Sequence, residues 1–207
     1  DIEWAQESID GEQSERKSIA AKSGASLPCP ADHDELLAIL GSSPLNEHSS
    51  IIKKIVSLYQ PKLAEGNKER LGRLTGVVLR HILFLSCQEY STNVQKFSDN
   101  QDSLVSILKV LSEKYNQALS AECRTIISEI QKRFKKRQFS GLNIGDLVFF
   151  ALVGTLFSTS DQYHLVVTPC SILIAEFLEQ IKFNRLSKLA FGSILVRLTI
   201  QYQRIAK

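Results

Sequence analysis

The sequence predicts an all-α protein, and three observations lead to that fold class. Apolar residues recur at steps of three and four in eight separate segments, which is the spacing of one face of a helix. Proline, glycine and small polar residues mark short connections between these segments. No stretch shows a convincing strand pattern. The 207 residues are enough for one large or two small domains with a sizeable buried core.

The predicted architecture is a stack of antiparallel helical pairs, an α-solenoid of the HEAT or armadillo kind. Helices joined by short connections pack antiparallel, and successive pairs then stack in chain order. The sequence has no fixed period, so the repeats would be degenerate. An irregular helical bundle is the alternative.

The first two helices are predicted from the signals at their ends. Asp32 and Glu35 have the spacing of a capping box, and Gly41 follows the last apolar residue of the first helix. A second helix has apolar residues over 51–59 and is stopped by Pro61.

The middle of the chain predicts three further helices. The third begins at Asn67, and the polar residues 92–100 are expected to form a loop. Apolar residues over 104–115 mark the fourth helix. Ser120 is expected to cap the fifth, whose apolar stripe runs to Phe134.

The last three helices begin after Gly141. The sixth, over residues 144–157, is apolar on nearly every side, so neighbouring helices must cover it. Its most apolar run is about half the length of a membrane span of ~20 residues, which favours a buried helix. A turn is expected at 158–161. Pro169 lies near the start of the seventh helix, and the eighth runs from about Leu186 to the end.

The first 26 residues are polar and lack helical periodicity, which indicates a tail or a linker remnant. Residues 27–207 then form the helical scaffold domain. The chain opens at Asp1 and contains no methionine, which suggests a piece excised from a longer protein.

Charge is unevenly distributed along the chain. Residues 1–100 carry 11 Lys and Arg against 14 Asp and Glu, a net charge of −3, whereas residues 101–207 carry 14 against 8, a net charge of +6. The two halves sum to the overall +3. A basic second half suggests an acidic partner, such as nucleic acid.

Neither the cysteines nor any motif predicts an enzyme, a cofactor or a metal site. The four cysteines are far apart, which is typical of reduced, mostly buried, intracellular thiols. Cys29 and His33 are too few for a zinc site, which needs four ligands, so a buried thiol before a helix cap is the favoured interpretation. No phosphate-binding glycine loop, nucleophile elbow or zinc-protease motif occurs.

Two glycines and two histidines in the helical segments have structural interpretations. Gly72 and Gly76 have the spacing that lets another helix approach closely, and a packing role is favoured over a dimer contact. His81 lies beside the apolar stripe of the third helix and is expected to be partly buried with its hydrogen bonds satisfied. His164 is expected to order the turn between two helices.

The strongest polar feature is a basic run at 132–137. Cations near a helix C-terminus complement the helix dipole, but five exceed what that role needs. Phe134 belongs to the buried stripe, so the basic side chains are expected to flank it and to face outward. They either contact RNA phosphate or an acidic partner, or they form a solvated helix end. The candidate contact residues, including a weaker group near a later helix junction, are Lys132, Arg133, Lys135, Lys136, Arg137, Lys182, Arg185 and Lys188.

Several blocks of the sequence resemble the nucleolar protein 14 family, and they occur in the family's order. Together they cover roughly residues 27–207. The blocks are LPCP at 27–30 with ELL at 35–37, YQPKLAEGNK at 59–68, GLN at 141–143 and LFSTSDQYHLVVTP at 156–169.

The resemblance implies a non-catalytic scaffold of the nucleolar small-subunit processome, which supports pre-rRNA processing and assembly of the small ribosomal subunit. It implies a nucleolar-complex (Noc) protein and an rRNA methyltransferase as partners, with pre-rRNA or small nucleolar RNA as further ligands. No cofactor, membrane or small-molecule substrate is expected. The alternative is a generic α-solenoid adaptor that binds peptides outside any ribonucleoprotein.

Overall fold

The computed structural model describes residues 27–41, 43–88, 94–137, 142–157 and 164–205. Within these ranges the chain forms eight α-helices, a single 3-10 turn (Leu45–Glu47) and no strand, so the all-α prediction is confirmed. The predicted tail 1–26, the separating Gly141 and the turn 158–161 lie outside the described residues. The helices are α1 (His33–Leu40), α2 (His48–Leu58), α3 (Asn67–Ser86), α4 (Val94–Lys114), α5 (Asn116–Arg137), α6 (Ile144–Leu156), α7 (Val167–Gln180) and α8 (Leu186–Ile205).

Both predicted ends of α1 are confirmed. The backbone N–H of Glu35 donates to Oδ1 of Asp32 at 2.9 Å, and the Glu35 carboxylate accepts from the N–H of Ala31 at 2.7 Å. These bonds satisfy N–H groups that no carbonyl of the helix can reach. Gly41 follows α1 with a φ of 51°, which glycine adopts without a Cβ clash.

Helix α4 begins earlier than predicted. The expected loop over 92–100 is wrong from Val94 onward, where the helix starts. Phe97 packs against the core and Asn100 is buried, and both share a face with Leu104 at helical spacing. A helix needs only one inward face, so polar residues on its other faces do not prevent it from forming.

The predicted cap of α5 is also wrong, because α5 begins at Asn116 and Ser120 lies inside it. The backbone N–H of Tyr115 donates to Leu111 at 2.8 Å, and that of Leu119 donates to Tyr115 at 3.1 Å. Tyr115 therefore ends the hydrogen bonding of α4 with its N–H and begins that of α5 with its carbonyl, so the start of α5 lies before position 120. The Ser120 hydroxyl donates instead to Oδ1 of Asn116 at 3.2 Å.

Helix α6 is covered as its apolar sequence predicts. It contacts α3, α7 and α8, and Phe149 and Phe150 have no exposed surface. Gly154 lets α8 approach, since a Cβ there would lie 2.5 Å from Cε1 of Tyr202. The Tyr202 hydroxyl donates to the Phe150 carbonyl at 2.5 Å, which joins α8 to α6.

Helix α3 is a second interior element, which periodicity alone did not single out. Twelve of its 20 residues are buried, and it contacts α1, α4, α5 and α6. A Cβ on Gly72 would lie 3.4 Å from Cβ of Ala118, and one on Gly76 would lie 2.9 Å from Cγ of Glu122. The two glycines therefore admit α5, which confirms their packing role.

Contacts run mainly between helices that are neighbours or next neighbours in the chain. Within the described ranges, no helix combines the length and the apolar character that crossing a bilayer requires.

Candidate functional site

The basic run forms the last two turns of α5. Phe134 holds this end in place, because its ring is buried and meets the edge of Phe177 on α7 at 4.6 Å between ring centroids. Lys132, Lys135 and Lys136 are exposed and follow an i, i+3, i+4 pattern, so they share one face of the helix opposite Phe134. Three ammonium groups on one exposed face form a surface that suits phosphate or carboxylate groups.

Arg133 does not face outward with the lysines, so that part of the prediction is wrong. Its Nη2 donates to Oδ1 of Asp146 at 2.6 Å and its Nη1 to Oδ2 at 3.2 Å. Asp146 is buried on α6, and a buried carboxylate without a partner is strongly destabilising. Arg133 is thereby committed to joining α5 to α6.

Asp146 also completes the start of α6. The N–H of Asn143 donates to Oδ2 of Asp146 at 2.8 Å, and the N–H of Asp146 donates to Oδ1 of Asn143 at 2.9 Å. Burial raises the pKa of the Asp146 carboxyl, and its bonds with Arg133 and Asn143 oppose that rise. The sequence contained this capping box, but with Asn and Asp in place of the commoner Ser and Glu it was missed.

The two basic groups lie at neighbouring helix ends. Phe134 and Phe177 each lie three residues before the end of their helix, so their contact brings the C-termini of α5 and α7 together. Lys182 and Arg185 follow α7 in the connection to α8 and are exposed, whereas Lys188 in the first turn of α8 is half-buried. Arg137, at the end of α5, is also exposed.

A chain of three histidines joins α1, α2 and α3, which sequence reasoning did not foresee. Nε2 of His33 lies 3.2 Å from Nδ1 of His81, and Nε2 of His81 lies 3.1 Å from Nδ1 of His48. Nε2 of His48 lies 3.2 Å from the Ser43 carbonyl, which can only accept. His48 must therefore donate there, and because burial favours its neutral form, His81 donates to His48 and His33 donates to His81.

In this arrangement His81 and His48 each donate through Nε2 and accept through Nδ1, so both imidazoles are neutral. His81 is fully buried, and burial, followed by the neighbouring His48 and His33, lowers its pKa to about 3. Burial also lowers the pKa of His33 and of His48. His81 was expected to be partly buried and satisfied; it is satisfied, and buried completely. No local pattern could reveal its partners, which are 48 and 33 residues away.

The thiols and the remaining histidine have structural surroundings. Cys29 is half-buried and its Sγ donates to the Arg70 carbonyl at 3.8 Å, while His33 turns to His81, so the two form no pair. Cys123 and Cys170 are buried, and burial raises the pKa of Cys123 to about 12. Cys87 is exposed, so burial is complete for two of the four thiols that were expected to be mostly buried. Within the described ranges, no group of His, Cys, Asp and Glu is arranged to hold a metal ion.

His164 orders the start of α7, as predicted. Its Nδ1 accepts from the backbone N–H groups of Val166 at 3.1 Å and Val167 at 3.2 Å. These are N–H groups of the first turn, which have no partner within the helix.

An open groove of about 550 Å³ lies between α1, α3, α5 and α6. Its cations are engaged by the protein's own acids: Arg80 pairs with Glu122 and, at 2.9 Å, with Glu129, while Arg133 pairs with Asp146. These pairs tie the helices together across the groove.

Similarity to known proteins extends over nearly the whole of this chain. The profile of the Nop14-like family matches residues 3–207. The chain is 65% identical over 182 residues to the probable nucleolar complex protein 14 of Kluyveromyces lactis, covering 88% of this chain and 22% of that protein. It is 58% identical over 189 residues to nucleolar complex protein 14 of Saccharomyces cerevisiae, covering 91% of this chain and 23% of that protein.

A more distant relative matches a similar length of this chain at lower identity. Nucleolar protein 14 of Mus musculus is 24% identical over 199 residues, which is 95% of this chain and 23% of the mouse protein. The chain thus spans about a quarter of the length of the relatives it matches. Because the family profile matches nearly all of its residues, this chain belongs to the Nop14-like family.

Proposed function

We propose that this chain is a non-catalytic scaffold segment of the nucleolar small-subunit processome, supporting pre-rRNA processing and assembly of the small ribosomal subunit. Family membership over residues 3–207 is the observation that carries the proposal. The relatives are named as nucleolar or nucleolar complex proteins, names that describe a location and an assembly and no reaction. These names indicate the nucleolus as the location of this protein.

The proposed architecture is a single scaffold domain over 27–207, arranged as a degenerate α-solenoid. Contacts mainly between helices close in chain order support it, since stacked pairs touch only their neighbours. Small-angle scattering distinguishes the elongated stack from an irregular bundle, whose profile would be that of a compact particle.

The proposed partners are other processome proteins, including a nucleolar-complex (Noc) protein and an rRNA methyltransferase, together with pre-rRNA or small nucleolar RNA. Co-sedimentation tests this level of the proposal. The protein is expected to migrate with pre-ribosomal particles in a sucrose gradient, and ribonuclease is expected to shift it to lighter fractions. If the protein migrates only in the light fractions even without ribonuclease treatment, the alternative function would be favoured, a generic adaptor that binds peptides outside any ribonucleoprotein.

The three lysines on α5 are the proposed contact to RNA phosphate. Their shared exposed face supports this role, whereas Arg133 is occupied by Asp146. Binding that depends on phosphate contacts weakens with salt, with a slope of about −0.7 per neutralised phosphate on single strands. Changing Lys132, Lys135 and Lys136 together to Gln is expected to flatten the slope by up to about 2.

A matched variant separates a local contact from an effect of net charge. Lys62, Lys68 and Lys109 are also exposed, and changing them to Gln removes the same charge from other places on the surface. Fluorescence anisotropy of a labelled 20-nucleotide oligouridine against salt is the measurement. Equal slopes for wild type and the α5 variant would remove these lysines from the RNA contact, and a loss of binding to an acidic protein partner would then assign them to that partner.

A further inference from the structure

Helix α8 has an apolar stripe on its outward face as well as on its inward face. Leu195, Leu198 and Tyr202 are buried toward the body of the protein. On the opposite face, apolar side chains lie in solvent at steps of three, seven and four residues: Leu186 is 82% exposed, Leu189 50%, Val196 46% and Ile200 45%. This spacing is that of the contact positions of a two-helix seam.

The middle of the outward stripe can also be covered without leaving a polar group unsatisfied. Ser193 takes the remaining seam position, and its hydroxyl donates to the Leu189 carbonyl of its own helix at 2.8 Å. Phe183 widens the stripe, because its ring lies over Gly192, where a Cβ would be 2.5 Å from Cε1 of the ring. Gly192 lies between Leu189 and Val196 in the chain, three residues after the first and four before the second.

The charges beside the stripe have one sign. Residues 181–207 contain six Lys and Arg and no Asp or Glu. Arg197 on α8 and Arg185, directly before its first residue, are exposed on the two sides of the stripe, where charges decide the choice of partner. A second copy of this segment would bring further cations and no carboxylate to the seam, so the flanks oppose self-association and favour an acidic partner.

We propose that the outward stripe of α8 is a docking surface for an acidic amphipathic helix of a protein partner. The apolar side of that helix would cover Leu186, Leu189, Val196 and Ile200, and its Asp or Glu residues would meet Arg185 and Arg197. RNA would satisfy the two arginines but would leave the apolar side chains in water. This inference rests on the proposed scaffold role and names the chemistry of one partner.

A designed peptide tests the surface directly. The probe is a labelled 21-residue helix of three heptads, with Leu at the two seam positions and Glu at the two flanking positions. A second peptide with Lys in place of Glu is the matched probe. The Glu peptide is expected to bind the 207-residue chain saturably in fluorescence anisotropy, and the Lys peptide at least tenfold more weakly.

Two paired variants resolve the apolar and the charged contributions. The double variant Leu189→Gln, Val196→Gln is expected to lower the affinity for the Glu peptide at least tenfold. The double variant Arg185→Glu, Arg197→Glu is expected to bind the Lys peptide more tightly than the Glu peptide. Leu63→Gln, which changes a leucine of similar exposure between α2 and α3, is expected to leave binding unchanged. Circular dichroism checks that each variant keeps its helix content.

Several outcomes would overturn the proposal. Absence of saturable binding of the Glu peptide would show that the stripe is not a docking surface for a helix. Equal binding of the two peptides would show that the surface has no preference for an acidic helix. Oligouridine affinity that falls with the Gln pair would assign the stripe to nucleic acid. A wild-type dimer in sedimentation velocity that becomes monomeric in the Gln pair would assign it to a second copy. Each of these results leaves the scaffold role to be judged by co-sedimentation with pre-ribosomal particles.

Discussion

Helices α1–α3 and helices α5–α6 both bury titratable side chains. Those between α1, α2 and α3 are neutral, whereas the one between α5 and α6 is ionised. His33, His81 and His48 are neutral and hydrogen-bonded to one another, whereas Asp146 carries a charge that Arg133 meets. The neutral histidines avoid the free-energy cost of burying a charge, but their contribution to stability depends on pH. A buried ion pair depends instead on the presence of both members. The same fold is therefore vulnerable to acid in one region and to substitution in the other.

A buried carboxylate that has no cation beside it should have the largest effect on stability. Phe150→Asp places a carboxylate among fully buried side chains of α6, and it is expected to lower the free energy of unfolding by about 4 kcal/mol or more. Urea denaturation followed by circular dichroism measures this. Ile172→Asp, at an exposed position of α7, is the control and should cost little. Similar losses for the two variants would show that α6 is not buried.

Removing one member of the ion pair should have the next largest effect. Arg133→Met leaves the Asp146 carboxylate buried without its cation, and a loss of about 2–3 kcal/mol is expected because Arg133 keeps some contact with solvent. Adding Asp146→Asn removes the charge and retains an amide at the helix start, so most of the loss should be recovered. Lys135→Met should change stability by less than about 0.5 kcal/mol. Additive losses in the double variant would contradict the pairing.

Acid should weaken the histidine region by an intermediate amount. The folded state lowers the pKa of His33, His48 and His81, so it favours the neutral forms. The stabilisation is complete above the unfolded pKa of about 6.5 and is lost as pH falls toward the folded values. With a folded pKa of about 3 for His81, lowering pH from 7.5 to 5 is expected to cost about 2 kcal/mol.

Urea denaturation at the two pH values measures this loss, and His81→Phe is the matched variant. Its stability is expected to change less between pH 7.5 and 5, since the most strongly shifted group is gone. An unchanged pH dependence in His81→Phe would place the acid sensitivity elsewhere in the protein.

The exposed lysines should matter least for stability. Changing Lys132, Lys135 and Lys136 together to Gln removes favourable interactions with the end of α5, and a loss of under about 1 kcal/mol is expected. Thermal denaturation monitored by circular dichroism checks it. A loss comparable to that of Arg133→Met would mean that these lysines hold the fold together as Arg133 does.

Local patterns predicted the helices well where one face carries the apolar residues. The ends of α1 followed from Asp32, Glu35 and Gly41, and the burial of α6 followed from its uniformly apolar sequence. The start of α4 did not follow, because Phe97 and Asn100 face inward from a segment that is polar overall. The cap expected at Ser120 was wrong because α5 starts directly after Tyr115, whose carbonyl accepts from the N–H of Leu119.

The basic residues at the end of α5 were predictable from the sequence, but the directions of their side chains were predictable only in part. The spacing of Lys132, Lys135 and Lys136 around Phe134 already placed three cations on one face. That Arg133 turns to Asp146 could not be read from the chain, since the partner lies on another helix and beyond a connection. The outward stripe of α8 was equally hidden, because periodicity shows that a helix has apolar faces but not which of them finds a neighbour.

The sequence by itself determined the helices, the basic end of α5 and the family, because each depends on residues close together in the chain or on blocks in a fixed order. Tertiary structure alone decided which polar groups meet. The histidine chain joins three helices and the ion pair joins two, with partners 13 to 48 residues apart. Such contacts depend on how helices cross, and crossing is set by packing of the whole core, which no local spacing records.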